Sequence, residues 1–73
     1  MNVIASSIPG RLRLRHAVLR HSDVLQEAQQ IVRAWPEIWN VDVNAKSGSL
    51  VVLYPPDPAL QPNYEKLGVE LMA

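Results

Sequence analysis

Residues 11–16 read Arg-Leu-Arg-Leu-Arg-His, and their strict alternation decides the reading of the whole chain. Successive side chains of a β-strand point to opposite faces, so a strand here puts Leu12 and Leu14 on one side and Arg11, Arg13 and Arg15 on the other. Pro9-Gly10 just before it marks a turn or bend. If the leucines lie under helices, the three guanidiniums stand together on the opposite face. Like charges two residues apart on a strand are roughly 7 Å from each other, so they repel one another and do nothing for the fold. Arginine forks suit carboxylate or phosphate partners. The plainer reading is a solvated strand face with Asp42 or Glu70 as a counter-ion, since exposed ion pairs are common and weak.

The next segment, 23–35, carries apolar residues at Val24, Ala28, Ile31 and Trp35, with Leu25 and Val32 widening the stripe. That spacing predicts an amphipathic helix. Ser22 or Asp23 is the expected N-cap, Asp23 with Gln26 resembles a capping box, and Pro36 ends the helix. Residues 39–44 alternate again, with Val41 and Val43 on one side and Asn40, Asp42 and Asn44 on the other. Lys46 to Ser49 reads as a turn, and the apolar run Leu50 to Tyr54 as a central strand, so the two strands form a hairpin. In that strand Leu50, Val52 and Tyr54 face the helices and Val51 and Leu53 share the arginine face. Pro55, Pro56, Pro58 and Pro62 forbid a strand through 55–62. A short second helix is expected from Pro62, carrying Tyr64 and Leu67 inward and ending at Gly68. Val69 to Met72 then reads as a short last strand. The alternative, in which the helix runs on to Met72, would place a glycine in mid-helix.

The predicted order is β-α-β-β-α-β. This is an α+β, ferredoxin-like sandwich: a four-stranded antiparallel sheet with two helices on one face and the other face open. The 73 residues make one domain, 1–73, in which 1–8 is an N-terminal extension able to add an edge strand. A core this small rarely supplies more than ~3–5 kcal/mol by itself. With no cysteine, neither disulfides nor a thiolate metal cluster can help. Lys plus Arg and Asp plus Glu stand at seven each, so the net charge is zero, which argues against a dedicated polyanion binder but leaves room for a local basic patch. No stretch approaches the ~18 apolar residues of a membrane span, and the opening lacks the basic region of a signal peptide, so a cytoplasmic location is expected.

Taken in order, several short motifs resemble the heavy-metal-associated (HMA) domain. Trp35-Pro36-Glu37-Ile38-Trp39-Asn40-Val41-Asp42-Val43-Asn44 is similar to that family's L-P-G-V-x-x-x-x-V-N. Ser49 to Pro56 resembles its third strand and the proline after it, and Leu67-Gly68-Val69 the L-G-Y before its last strand. Ile8 to Arg15 is similar to the opening of a cysteine-free branch of HMA-like domains. The resemblance implies a ferredoxin-like fold and a setting near metal transport or storage. The family's M-x-C-x-x-C loop should fall in His16 to Val24, with the cysteine positions near His21 and Val24. Neither residue supplies a thiolate, and a Cu(I) site needs sulfur, so the family's copper chemistry does not carry over.

His16 and His21 lie in or beside that loop and are the only metal candidates, with Asp23 or Asp57 as a further oxygen ligand. Two ligands without a third rarely make a site, and no metal and no cofactor is expected. Trp35 reads as core, and Trp39 as an exposed anchor of the kind enriched at binding hot spots. No Ser-His-Asp spacing, phosphate loop or carboxylate pair points to catalysis. The expected function is a non-catalytic accessory module that docks a protein partner, or itself, through the open sheet face. Its partner-binding residues would be Arg11, Arg13, Arg15, Val51, Leu53 and Trp39. Two alternatives stay open: a histidine-based metal carrier, and a nucleic-acid binder of the kind that stacks bases on an open sheet face, for which that face lacks aromatics.

Overall fold

The structure, a computed structural model, describes residues 3–72, so positions 1, 2 and 73 of the predicted domain fall outside it. It contains strands β1 (Ile4–Ile8), β2 (Arg11–Arg15), β3 (Asn40–Asn44) and β4 (Ser49–Leu53) and helices α1 (Ser22–Arg33) and α2 (Gln61–Leu71). A 3-10 turn, Ala17–Arg20, joins β2 to α1. The sheet is antiparallel throughout, in the order β1-β2-β4-β3. Both helices lie on the face that carries Leu12, Leu14, Leu50 and Val52, as the alternation in β2 predicts, and the fold is the α+β, ferredoxin-like one.

The fourth strand comes from the other end of the chain. Val69 to Met72 is not a strand, because α2 continues to Leu71, and the sheet position beside β2 is filled by β1, the segment read as an extension. Pro9 and Gly10 form the tight turn between β1 and β2. Gly10 sits at φ 89°, a region open to glycine and strained for most other residues, and a Cβ there would meet Pro56 Cβ at 2.9 Å. The β1–β2 pairing runs Ile8↔Arg11, Ser7↔Leu12 and Ser6↔Arg13, then shifts past Ala5 to Ile4↔Leu14. Polar bonds fasten α2 onto β1: the Ser7 hydroxyl donates to Glu65, and Gln61 Nε2 donates to the Ser7 carbonyl and hydroxyl, both at 3.2 Å.

Gly68 does not end α2; it is buried within it. A Cβ at this position would stand 2.8 Å from Leu14 Cδ2 and 3.2 Å from Leu12 Cδ2. The cost of glycine in a helix is here the condition for close contact with the strand beneath. Leu12, Leu14, Leu19, Leu50, Val32, Val52 and Tyr54 are fully buried.

In α1 the buried stripe is Leu25, Ala28 and Val32, one position round from the predicted centre, leaving Ile31 46% exposed. The helix ends at Arg33 rather than Trp35, with Ala34 and Trp35 donating back to Ile31 and Val32. Neither Ser22 nor Asp23 caps it. The N-cap is His21, which makes no side-chain cap bond; the incoming 3-10 turn places His21 in extended conformation one residue before the helix. Trp35 packs half-buried against the core, 6.3 Å from the Tyr64 ring, which stacks on Tyr54 at 4.1 Å. The Tyr64 hydroxyl donates to the Pro36 carbonyl and that of Tyr54 to the Ile8 carbonyl. Burial, the largest cause in each, pushes both phenols above their usual pKa, so they remain donors.

After Pro36, Glu37 takes φ 59°. That left-handed conformation costs a residue with a Cβ roughly 1–2 kcal/mol, and it is the position at which the HMA pattern has glycine. Glu37→Gly should raise stability by about 0.5–1 kcal/mol in urea unfolding, the strain relieved exceeding the added chain entropy. Gly68→Val should lower it by at least about 1–3 kcal/mol, the usual range for overpacking a filled core. A neutral result for Gly68→Val would mean that α2 does not lie this close to β2.

Candidate functional site

The open face is built in rows by strand register. One row reads Ile8, Arg11, Leu53, Asn40; the next Ser6, Arg13, Val51, Asp42; the third Arg15, Ser49, Asn44. Cross-strand partners share a face, so the alternation that buries Leu12 and Leu14 brings Arg11, Arg13 and Arg15 together with Val51 and Leu53. Both aliphatics are half-buried, as is Arg13, while Arg11 and Arg15 are exposed. β4 is therefore central, as its apolar run predicts, but helices cover only one of its faces.

Neither predicted counter-ion pairs with these arginines: among the described residues no carboxylate stands within ion-pair distance of any of the three. Asp42 shares a row with Arg13 but is two strands away, roughly 10 Å. Glu70 belongs to α2, on the far side of the sheet, because the segment carrying it is helix and not the fourth strand. Between β2 and β3 lies a shallow cavity of about 300 Å³ lined by Arg11, Arg13, Asp42, Asn44, Ser49 and Val51. At its floor Ser49 is buried, its hydroxyl sharing a hydrogen bond with Ser47. Asn44 Oδ1 is occupied by the turn, accepting from the Lys46 and Ser47 amides.

Trp39 lies apart from these rows. It precedes β3 with its side chain 66% exposed, and its amide donates to the Leu53 carbonyl at 2.8 Å. Ile8 belongs to the segment expected to be an N-terminal extension and has no expected place on this face. It stands on the open face, 53% exposed, a place that only the β1–β2 register could reveal.

The histidines are not assembled into a ligand set. Among the described residues no group of three or more His, Asp or Glu side chains could hold a metal ion. His16 Nδ1 accepts from the Val18 amide at 3.0 Å and caps the 3-10 turn. That bond places the ring proton of neutral imidazole on Nε2, so neither nitrogen has a free lone pair for a metal while the cap stays closed. His21 is exposed at the start of α1. A larger cavity of about 410 Å³ lies between α1 and the end of α2; His16 and Glu27 are the titratable residues in a lining otherwise of aliphatic side chains and Met72. Among the described residues no helix is long and apolar enough to cross a membrane.

A model of one protein family, described as heavy metal associated domain 2, matches residues 2–67. No curated protein and no solved structure matches the chain. The matched span contains the whole sheet, α1 and the first part of α2, and the chain has no cysteine in it.

The cap gives His16 a structural role that can be measured without metal. His16→Ala should lose about 1 kcal/mol of stability in chelator-treated buffer, the usual value of a lost cap, and His16→Asn should recover part of it. Unchanged stability in His16→Ala would return the ring to the ligand candidates.

Proposed function

This chain belongs to the heavy metal associated domain 2 family, and we propose that it is a non-catalytic accessory module, associated with metal transport or storage, that docks a protein partner through the open face of its sheet. Domains of this family are metal-associated modules. The absence of cysteine removes the thiolates that a soft-metal site of the resembled loop would use, and the open face is suited to recognition of another protein.

One observation carries the proposal: three guanidiniums stand in a line on a solvent-facing strip, unmatched by carboxylates and flanked by Val51 and Leu53. Their mutual repulsion stabilises nothing in the isolated domain. An arginine strip beside half-buried aliphatics has the composition of an interface core with a polar rim. The complementary surface would offer carboxylates to the strip and aliphatic side chains to Val51 and Leu53. Trp39, exposed just before β3, stands apart from the strip as a separate candidate anchor. A nucleic-acid role draws less support, since the three rows contain no aromatic and the net charge is zero.

The strip can be tested with Arg13→Glu. Residue 13 faces away from the core, so the circular dichroism spectrum and Tm should stay close to those of the parent; surface changes usually fall within ±0.5 kcal/mol. A fluorescently labelled peptide alternating Asp or Glu with Val or Leu should bind the parent, weaken with added salt, and bind Arg13→Glu about tenfold or more less tightly. Equal binding by the two proteins would refute the docking role of the strip.

A further inference from the structure

We infer that a second copy of this chain seats itself on the open face, related to the first by a two-fold axis running along β4. The inference rests on the docking role of that face and names its occupant.

The open face is complementary to itself. β4 is flanked by β2 on one side and β3 on the other, and the two flanks carry different chemistry. On the open face β2 presents Arg11, Arg13 and Arg15, all donors; β3 presents Asn40, Asp42 and Asn44. Between them β4 presents Ser49, Val51 and Leu53. A half-turn about a line along β4 exchanges the flanks and returns the middle column to itself. Val51 and Leu53 then meet their own copies, and Arg13 of each copy stands over Asp42 of the other. Arg11 falls over Asn40 in the same way. Facing sheets lie about 10 Å apart, a gap that an arginine and an aspartate can bridge from opposite sides. With β4 inclined by about 15° to the axis, the two sheets cross at about −30°, the aligned packing of facing sheets. That twist separates the corners and leaves the row through Arg13, Val51 and Asp42 in closest contact.

Three further observations favour a copy of this chain over other occupants. Arg13 and Asp42 are not paired with each other within one chain, so both charges are available across the axis. The net charge is zero, so two copies approach without long-range repulsion. Joining copies edge to edge through β3 in the register centred on that strand's middle residue would instead set Asp42 beside its own copy, which like charges oppose. Under this axis β1 of each copy projects past β3 of the other, so the overlap is β2, β4 and β3, roughly 17 by 14 Å from five residues and three strands, which places the dimer in the weak class.

Sedimentation equilibrium at protein concentrations from micromolar to millimolar tests this with Arg13→Asp and Asp42→Arg, each first shown to be folded by circular dichroism. The parent should dimerise, and each variant alone, with two like charges facing each other, should associate about tenfold or more less tightly. An equimolar mixture of the two variants should dimerise again, because each Asp then faces an Arg. A dimer that persists unchanged in Arg13→Asp, or a mixture that stays monomeric while the parent dimerises, overturns the two-fold arrangement. A parent that is monomeric at millimolar concentration also overturns it, but leaves the docking role standing if the acidic peptide still binds through Arg13. If peptide binding is lost as well, both fall.

Discussion

The contact between Gly68 and the two leucines of β2 sets the rest of the structure. With no side chain at 68, α2 comes down until the helix backbone lies against Leu14 and Leu12, and the leucines are sealed from water. A strand whose even positions are sealed must turn its odd positions outward, so the exposure of Arg11, Arg13 and Arg15 follows from packing on the opposite side. The domain has no disulfide to supplement that core, so the same few aliphatic contacts that hold it together also determine which residues it presents.

Alternation made most of this legible. β2, β3 and β4 lie close to where their patterns put them, and the separation of leucines from arginines could be read from six residues. The fourth strand could not. Val69 to Met72 is apolar enough for a strand, and Gly68 before it reads as a helix stop, because local rules treat a mid-helix glycine as a defect. Only the tertiary structure shows the compensation, in the close approach to Leu14. Once α2 runs through that glycine, the sheet position beside β2 remains to be filled, and the segment before Pro9-Gly10 fills it by the shortest connection, a hairpin. Ser7 then faces α2 instead of solvent and ties strand to helix through Gln61 and Glu65.

The site divides in the same way. The arginine strip was visible because it depends on one strand. Its relation to Asp42 was not, because it depends on the register of three strands: the aspartate read as a neighbouring counter-ion stands across β4 from Arg13. The role of His16 was hidden for a different reason. A ring beside the segment where the resemblance puts a metal loop suggests a ligand, whereas its Nδ1 is committed to a backbone amide two residues on. The connection between β2 and α1 is a capped 3-10 turn, and the arginine strip lies on the open face of the sheet.

The account stands or falls with the side-chain parity of β2. Paramagnetic relaxation by a soluble, neutral gadolinium chelate, read site by site in NMR spectra of the isotopically labelled protein, reports that parity directly. The methyl groups of Leu12 and Leu14 should be among the least affected in the chain, together with those of Leu50 and Val52, while the side chains of Arg11 and Arg15 should relax strongly. Strong relaxation of the leucine methyls with protected guanidiniums would contradict the account at its root.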